Sequence, residues 1–243
     1  MRAKSGISLV LAATVCMWCG CQRQPDPLPG FPRLVLWAWE RPERMEFLNP
    51  RSAGVAFLAR TVSWRAGQIT SRPRLQPLRV PPGTALMAVV RLESSGLPLP
   101  QAGAVSAEIL KAAAMPGVRA LQVDFDARLS ERDWYRQLLH ELRGGMNASI
   151  PLSMTALASW CDRDNWMAGL PVSDAVPMLF RMGAGEPKGA RDFRVGVCRA
   201  SFGISTDELP ADLPHGRRLF VFHPRAWDEG AYRAAVRLAV KWR

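Results

Sequence analysis

Short apolar runs alternate with stretches of helical periodicity along most of the chain. Eight runs read as β-strands, because they are brief, rich in branched or aromatic residues and bounded by turn formers. They are Leu34–Trp39, Val55–Val62, Ala85–Glu93, Val118–Asp126, Ser149–Thr155, Ala175–Met182, Phe193–Ala200 and Arg218–His223. Between them the spacing predicts helices over Pro42–Leu48, Val105–Met115 and Ala156–Leu170, and a C-terminal helix from Glu229. The best-specified helix starts at Ser130, with Asp133 completing an approximate capping box. It repeats Trp134, Leu138 and Leu142 at intervals of four and stops at Gly144-Gly145.

Strands alternating with helices imply a parallel sheet with helical crossovers. Eight of them in one domain fit a small (β/α)8 TIM-like barrel. Two connections would make that barrel irregular. The second, Ser63–Gly83, is proline-rich without helical period and reads as a long loop or a hairpin. The sixth, Gly183–Asp192, is near the minimum length for a crossover. An incomplete barrel or an open doubly wound sheet is the alternative architecture.

The first residues belong to a different pattern. Arg2 and Lys4 precede an apolar run from Ile7 to Trp18, which is the order of a secretory signal and too short for a comfortable membrane span. Cys19-Gly20-Cys21 follows, so residues 1–21 read as a signal peptide of lipoprotein type with Cys21 as the acylated residue. An ordinary cleaved signal without lipid is the plainer reading. Residues 22–33 then form a proline-rich spacer and 34–243 a single domain. The expected location is the periplasm, with a membrane anchor through the lipid.

Composition narrows the class. Hydrophobic residues make up 48% of the chain, enough for a packed core and against disorder. The net charge of +11 is carried mostly by scattered arginines, a pattern that suits either codon bias or attraction to anionic polysaccharide or lipid headgroups. Nucleic acid is not an expected partner, since no recognition motif is present. Cys161 and Cys198 are the cysteines of the mature domain, and an oxidising compartment would permit a bond between them. No metal or other cofactor is expected, as the three histidines lack ligand spacing.

Candidate chemistry centres on the fourth strand, Leu121-Gln122-Val123-Asp124-Phe125-Asp126. Side chains alternate faces along a strand, so Gln122, Asp124 and Asp126 share one face and Leu121, Val123 and Phe125 the other. If the apolar face packs under the helices, both aspartates reach the C-terminal mouth of the barrel, where active sites of this fold lie. Neighbouring carboxylates with separated pKa values can divide acid and base roles. Glu93, at the end of the third strand, is a third catalytic candidate. Arg91, Glu40, Arg181 and His223 lie at other strand ends and are candidates for substrate binding. Trp39 and Trp160, with Trp37 and Trp166, would suit the apolar faces of sugars. Each aspartate could instead cap the following turn, and each tryptophan could be core.

The stretch from Leu121 to Ala127 with Ser130-Glu-Arg-Asp-Trp-Tyr135 resembles a bacterial family of unknown function, domain-of-unknown-function family 3142. Leu152-Ser-Met-Thr-Ala-Leu-Ala-Ser-Trp-Cys161 and Val176-Pro-Met-Leu-Phe-Arg-Met-Gly183 carry the same resemblance. It implies no activity. A more distant similarity is to chitinase-like glycoside hydrolases, whose fourth strand ends in alternating acids. Here Asp126 stands where a glutamate is expected, or Arg128 stands where the acid should be. The leading expectation is a glycan-hydrolysing barrel using paired carboxylates. The competing one is a non-catalytic envelope lipoprotein that holds a polysaccharide or a partner protein. A concave pocket with one raised carboxyl would favour the enzyme, and an open aromatic shelf with solvated acids the binder.

Overall fold

A computed structural model describes residues 25–162, 164–181 and 192–242. The signal region with Cys21 lies outside them. Eight strands close into a parallel barrel: β1 (Leu34–Ala38), β3 (Ala53–Arg65), β6 (Leu86–Ser94), β7 (Val118–Asp124), β8 (Leu152–Leu157), β9 (Asp174–Met178), β10 (Ser201–Ser205) and β11 (Arg218–Phe222). Closure comes from β1, which pairs with β11 on one side and β3 on the other. The architecture is a small TIM-like (β/α)8 barrel.

Full helices follow only some strands. α1 (Ala102–Ala113) follows β6, α2 (Arg132–Gly145) follows β7, and α4 (Glu229–Lys241) follows β11. α3 (Ala158–Asp162), after β8, is a single short piece rather than the longer helix its sequence suggests. Pro42–Leu48 is not helical. Glu43–Arg44 forms β2, which pairs with β5 (Leu78–Arg79), and the buried Glu43 carboxylate accepts from the Trp227 backbone N–H at 2.8 Å. The second crossover is a hairpin, with β4 (Gln68–Pro73) running antiparallel to the far half of β3. That arm is fastened to the barrel rim by Arg74, whose guanidinium donates to the carbonyls of Trp39 and Arg41.

The seventh strand begins later than its hydrophobicity suggests. Phe193 and Cys198 are buried, but in a loop with a 3-10 turn over Gly196–Cys198, and the strand itself is Ser201–Ser205. Its inward residues are small because the interior is already full there. A Cβ on Gly203 would lie 2.7 Å from the edge of the Trp37 indole. Residues 182–191, the bulk of the sixth crossover, lie outside the described residues.

Two apolar layers result. The barrel interior holds Val35, Trp37, Ala56, Met87, Val89, Val176 and Phe220. The shell between barrel and helices holds the alternate residues of the same strands, among them Leu121, Val123 and Phe125, against Tyr135, Leu138, Leu139 and Leu142 of α2. Each such side chain withdrawn from water contributes about 1.5–3 kcal/mol. α2 is entered through the Glu131 carboxylate, which accepts from the Arg128 N–H at 2.8 Å and from the Ser94 hydroxyl. Glu131, rather than Ser130, therefore does the capping. Cys161 and Cys198 form a disulfide that ties α3 to the loop before β10, with Cα atoms 5.9 Å apart.

The expected spacer is only partly a spacer. Leu28 and Phe31 are buried in the barrel's N-terminal end. Arg218 locks them there, reaching the Asp26 carboxylate at 3.0 Å and the carbonyls of Leu28, Phe31 and Pro32.

Candidate functional site

The strand alternation carries one side chain from each turn of chain to the barrel axis, and at the C-terminal mouth these converge on a cavity of about 360 Å³. Its floor is Trp37, whose indole N–H donates to Gln122 Oε1 at 2.9 Å; Gln122 in turn donates to Ser153 Oγ at 3.1 Å. The polar wall is Arg91, Asp124, Asp126 and Thr155. The opposite wall is aromatic: Trp39, Phe180 and Phe222. Phe180 and Phe222 stack nearly parallel, with centroids 5.8 Å apart, and the Arg181 guanidinium lies 5.3 Å over Phe222.

Asp124 ends β7 and points inward, with its side chain 13% exposed. The Thr155 hydroxyl donates to its Oδ1 at 2.7 Å, and Arg91 Nη1 stands 3.8 Å from its Oδ2. Burial pushes its carboxyl above the ordinary range; the Thr155 hydrogen bond and the Arg91 charge oppose that shift without cancelling it. Asp126 lies past the end of β7, exposed, and lines the same cavity. Arg91 is held between neighbours, with Nε 3.2 Å from Glu93 Oε1 and its guanidinium 5.8 Å from the Trp39 ring centroid.

Asp124, Asp126, Arg91, Trp39 and Arg181 are thus brought together. Glu93 reaches the group through Arg91 from a half-exposed position on the rim. Three candidates lie elsewhere. Glu40 is engaged by Arg72 of the hairpin arm through two hydrogen bonds of 2.6 and 3.0 Å. His223 packs on Trp227, bonds Thr206 through Nδ1 at 2.6 Å, and is depressed in pKa chiefly by burial. Trp160 is buried in the outer shell against Trp166 and Arg132, because α3 turns it away from the mouth while Ser159 beside it lines the cavity.

Thr155, which shares a face with Ser153 on the fifth strand in the sequence pattern, lines the cavity, whereas Phe180 and Phe222 are cavity residues that carry no charge to mark a strand end. The signal for them was the same alternation: Val176, Met178 and Phe180 share one side of the chain, as do Phe220 and Phe222. Among the described residues no group of three or more His, Cys, Asp or Glu could hold a metal ion. The arrangement offers a protonatable carboxyl, a second carboxylate, a cation and a flat apolar wall in one concavity. Comparisons with known protein families, curated proteins and solved structures find no match.

Proposed function

We propose that the mouth binds a glycan and hydrolyses a glycosidic bond, with Asp124 as general acid and Asp126 as the second carboxylate. The observation that carries this reading is the inward Asp124 carboxyl, raised by burial and yet open to a cavity. A carboxyl so placed keeps its proton to a higher pH and can pass it to the leaving oxygen as the bond to the anomeric carbon breaks. Asp126, solvated at the lip, acts on water or on the anomeric carbon. The aromatic wall supplies the flat apolar surface that a pyranose face requires. Asp124 is the better acid because Asp126 is exposed, and Glu93 is already engaged by Arg91.

The same proposal places the protein outside the cytoplasm, acylated at Cys21. The basic start, the apolar run and Cys21 support that reading, and the Cys161–Cys198 bond is of the kind that persists in oxidising compartments. The resemblance to the family of unknown function bears on neither activity nor substrate.

The test is a glycan-hydrolysis screen of the purified protein beside Asp124→Asn and Asp126→Asn. Turnover by the parent with a loss of about 10²–10⁴-fold in kcat for Asp124→Asn is expected. Equal turnover in all three proteins removes the role given to both residues. The anomeric configuration of the first product decides whether Asp126 works through water.

A further inference from the structure

We propose that the end of the barrel opposite the mouth is a docking face for anionic phospholipid headgroups, holding the mouth away from the bilayer. The proposal rests on the acylation at Cys21 proposed above, and adds to it a surface and an orientation. A hollow of about 1080 Å³ opens at this end, bordered by Arg33, Arg199, Arg217 and Arg218 and by one acid, Asp26. Arg218 is spent on Asp26 at 3.0 Å, and Arg217 on Asp192 at 2.6 Å.

Arg33 and Arg199 are exposed, and both are fixed by backbone carbonyls: Arg33 by Gly216, and Arg199 by Phe193 at 2.6 Å. Arg143, at the C-terminal end of α2, is held likewise by Ile150 at 2.8 Å and Asn147 at 2.6 Å. Carbonyls orient a guanidinium without cancelling its charge. Arg33 and Arg199 are therefore arrayed toward solvent rather than folded onto acids, with the half-buried Arg143 beside solvent, which suits a surface of phosphates.

The position of the tether selects a bilayer as the occupant. Pro25 borders the same hollow, and Cys21 is four residues upstream. Even fully extended, that stretch reaches about 14 Å. An acyl group in the membrane therefore holds this face within about two screening lengths of the headgroups, each about 8 Å at physiological salt. The glycan site then faces outward.

Hydrogen exchange on the anchored protein tests this. The acylated chain is reconstituted into vesicles of phosphatidylcholine alone or mixed with phosphatidylglycerol. Amides of residues 194–199 and 214–217 are expected to exchange more slowly on the anionic vesicles. The hairpin tip around Arg65 should be unchanged. High salt should erase the difference in the unmutated protein, and Arg33→Gln with Arg199→Gln should erode it by roughly fivefold per arginine. Arg65→Gln, at the hairpin tip, with Arg225→Gln, just past the C-terminal end of β11 beside His223, should leave it intact. Equal exchange on both vesicle types, or equal erosion in both double variants, overturns the face. So does protection by a soluble anionic polysaccharide with none from phosphatidylglycerol. Mass of the mature chain reports acylation separately. An unacylated protein that still shows phosphatidylglycerol-dependent protection supports the face while removing the anchor.

Discussion

Each end of the barrel buries an inward-facing aspartate, and the two have different environments. At the base, Asp174 is fully buried and pushed up to about 7 by burial, with Oδ2 accepting from Ser201 at 2.9 Å and Oδ1 without a partner. Leu28 and Phe31 pack into that end and close it. At the mouth, Asp124 is supported by Thr155 and Arg91 and opens onto a cavity walled by Trp39, Phe180 and Phe222. A raised carboxyl alone does not distinguish a site, since the sealed end has one too. Access, a second carboxylate and a surface for a ligand make the difference.

Four experiments would break or sharpen that contrast. The largest effect is expected from exchanging the two acids in turn: Asp124→Asn should cost about 10²–10⁴-fold in kcat on a hydrolysed glycan, and Asp174→Asn should leave kcat within a few-fold. Comparable losses from both would erase the distinction between the ends. Next is the Cys161–Cys198 bond, which closes a loop of sequence separation 37 and ties α3 to the loop before β10. Replacing both cysteines with alanine should lower unfolding free energy by about 4 kcal/mol in denaturant titrations.

Third is the pH dependence of stability. Asp174 holds its proton to about pH 7 when folded and to about pH 3.8 when unfolded. The native state therefore binds more protons between those values, so stability should fall as pH rises through that window. Asp174→Asn should flatten the slope, measured as melting temperature against pH. An unchanged slope would show that Arg218 or Ser201 already satisfies the carboxylate. The smallest effect is expected from Gly203→Ala. Its added methyl meets the Trp37 indole and should cost about 1–3 kcal/mol while disturbing the cavity floor.

Much of this contrast was legible from period-two alternation. That alone places Gln122, Asp124 and Asp126 on the interior side and Leu121, Val123 and Phe125 under α2. The alternation fails where interior space is scarce. β10 reads Ser-Phe-Gly-Ile-Ser, with small inward residues imposed by Trp37 and Asp174, and so carries a weaker apolar signal than the loop before it. Pro42–Leu48 misled for a related reason. Met45 and Leu48 are core, but Glu43 is buried to serve Trp227 across the fold, a pairing separated by 184 residues that local spacing cannot reveal. Trp160 lies three residues past a mouth strand, yet helical rotation takes it to the shell. Phe180 and Phe222 follow the same alternation, but as uncharged residues they are distinguished from core by nothing but their inward register.

The knot of Arg218 with Asp26, Leu28, Phe31 and Pro32 bears on how the molecule takes mechanical strain. A tug on the N-terminus does not meet slack chain; it arrives first at this guanidinium, whose five hydrogen bonds to four residues must be parted together. Behind it β1 runs lengthwise between β3 and β11, so the pull slides along two hydrogen-bonded ladders at once instead of opening them rung by rung. A pull applied at that end is therefore borne by the knot and the two ladders before any distortion reaches the far rim.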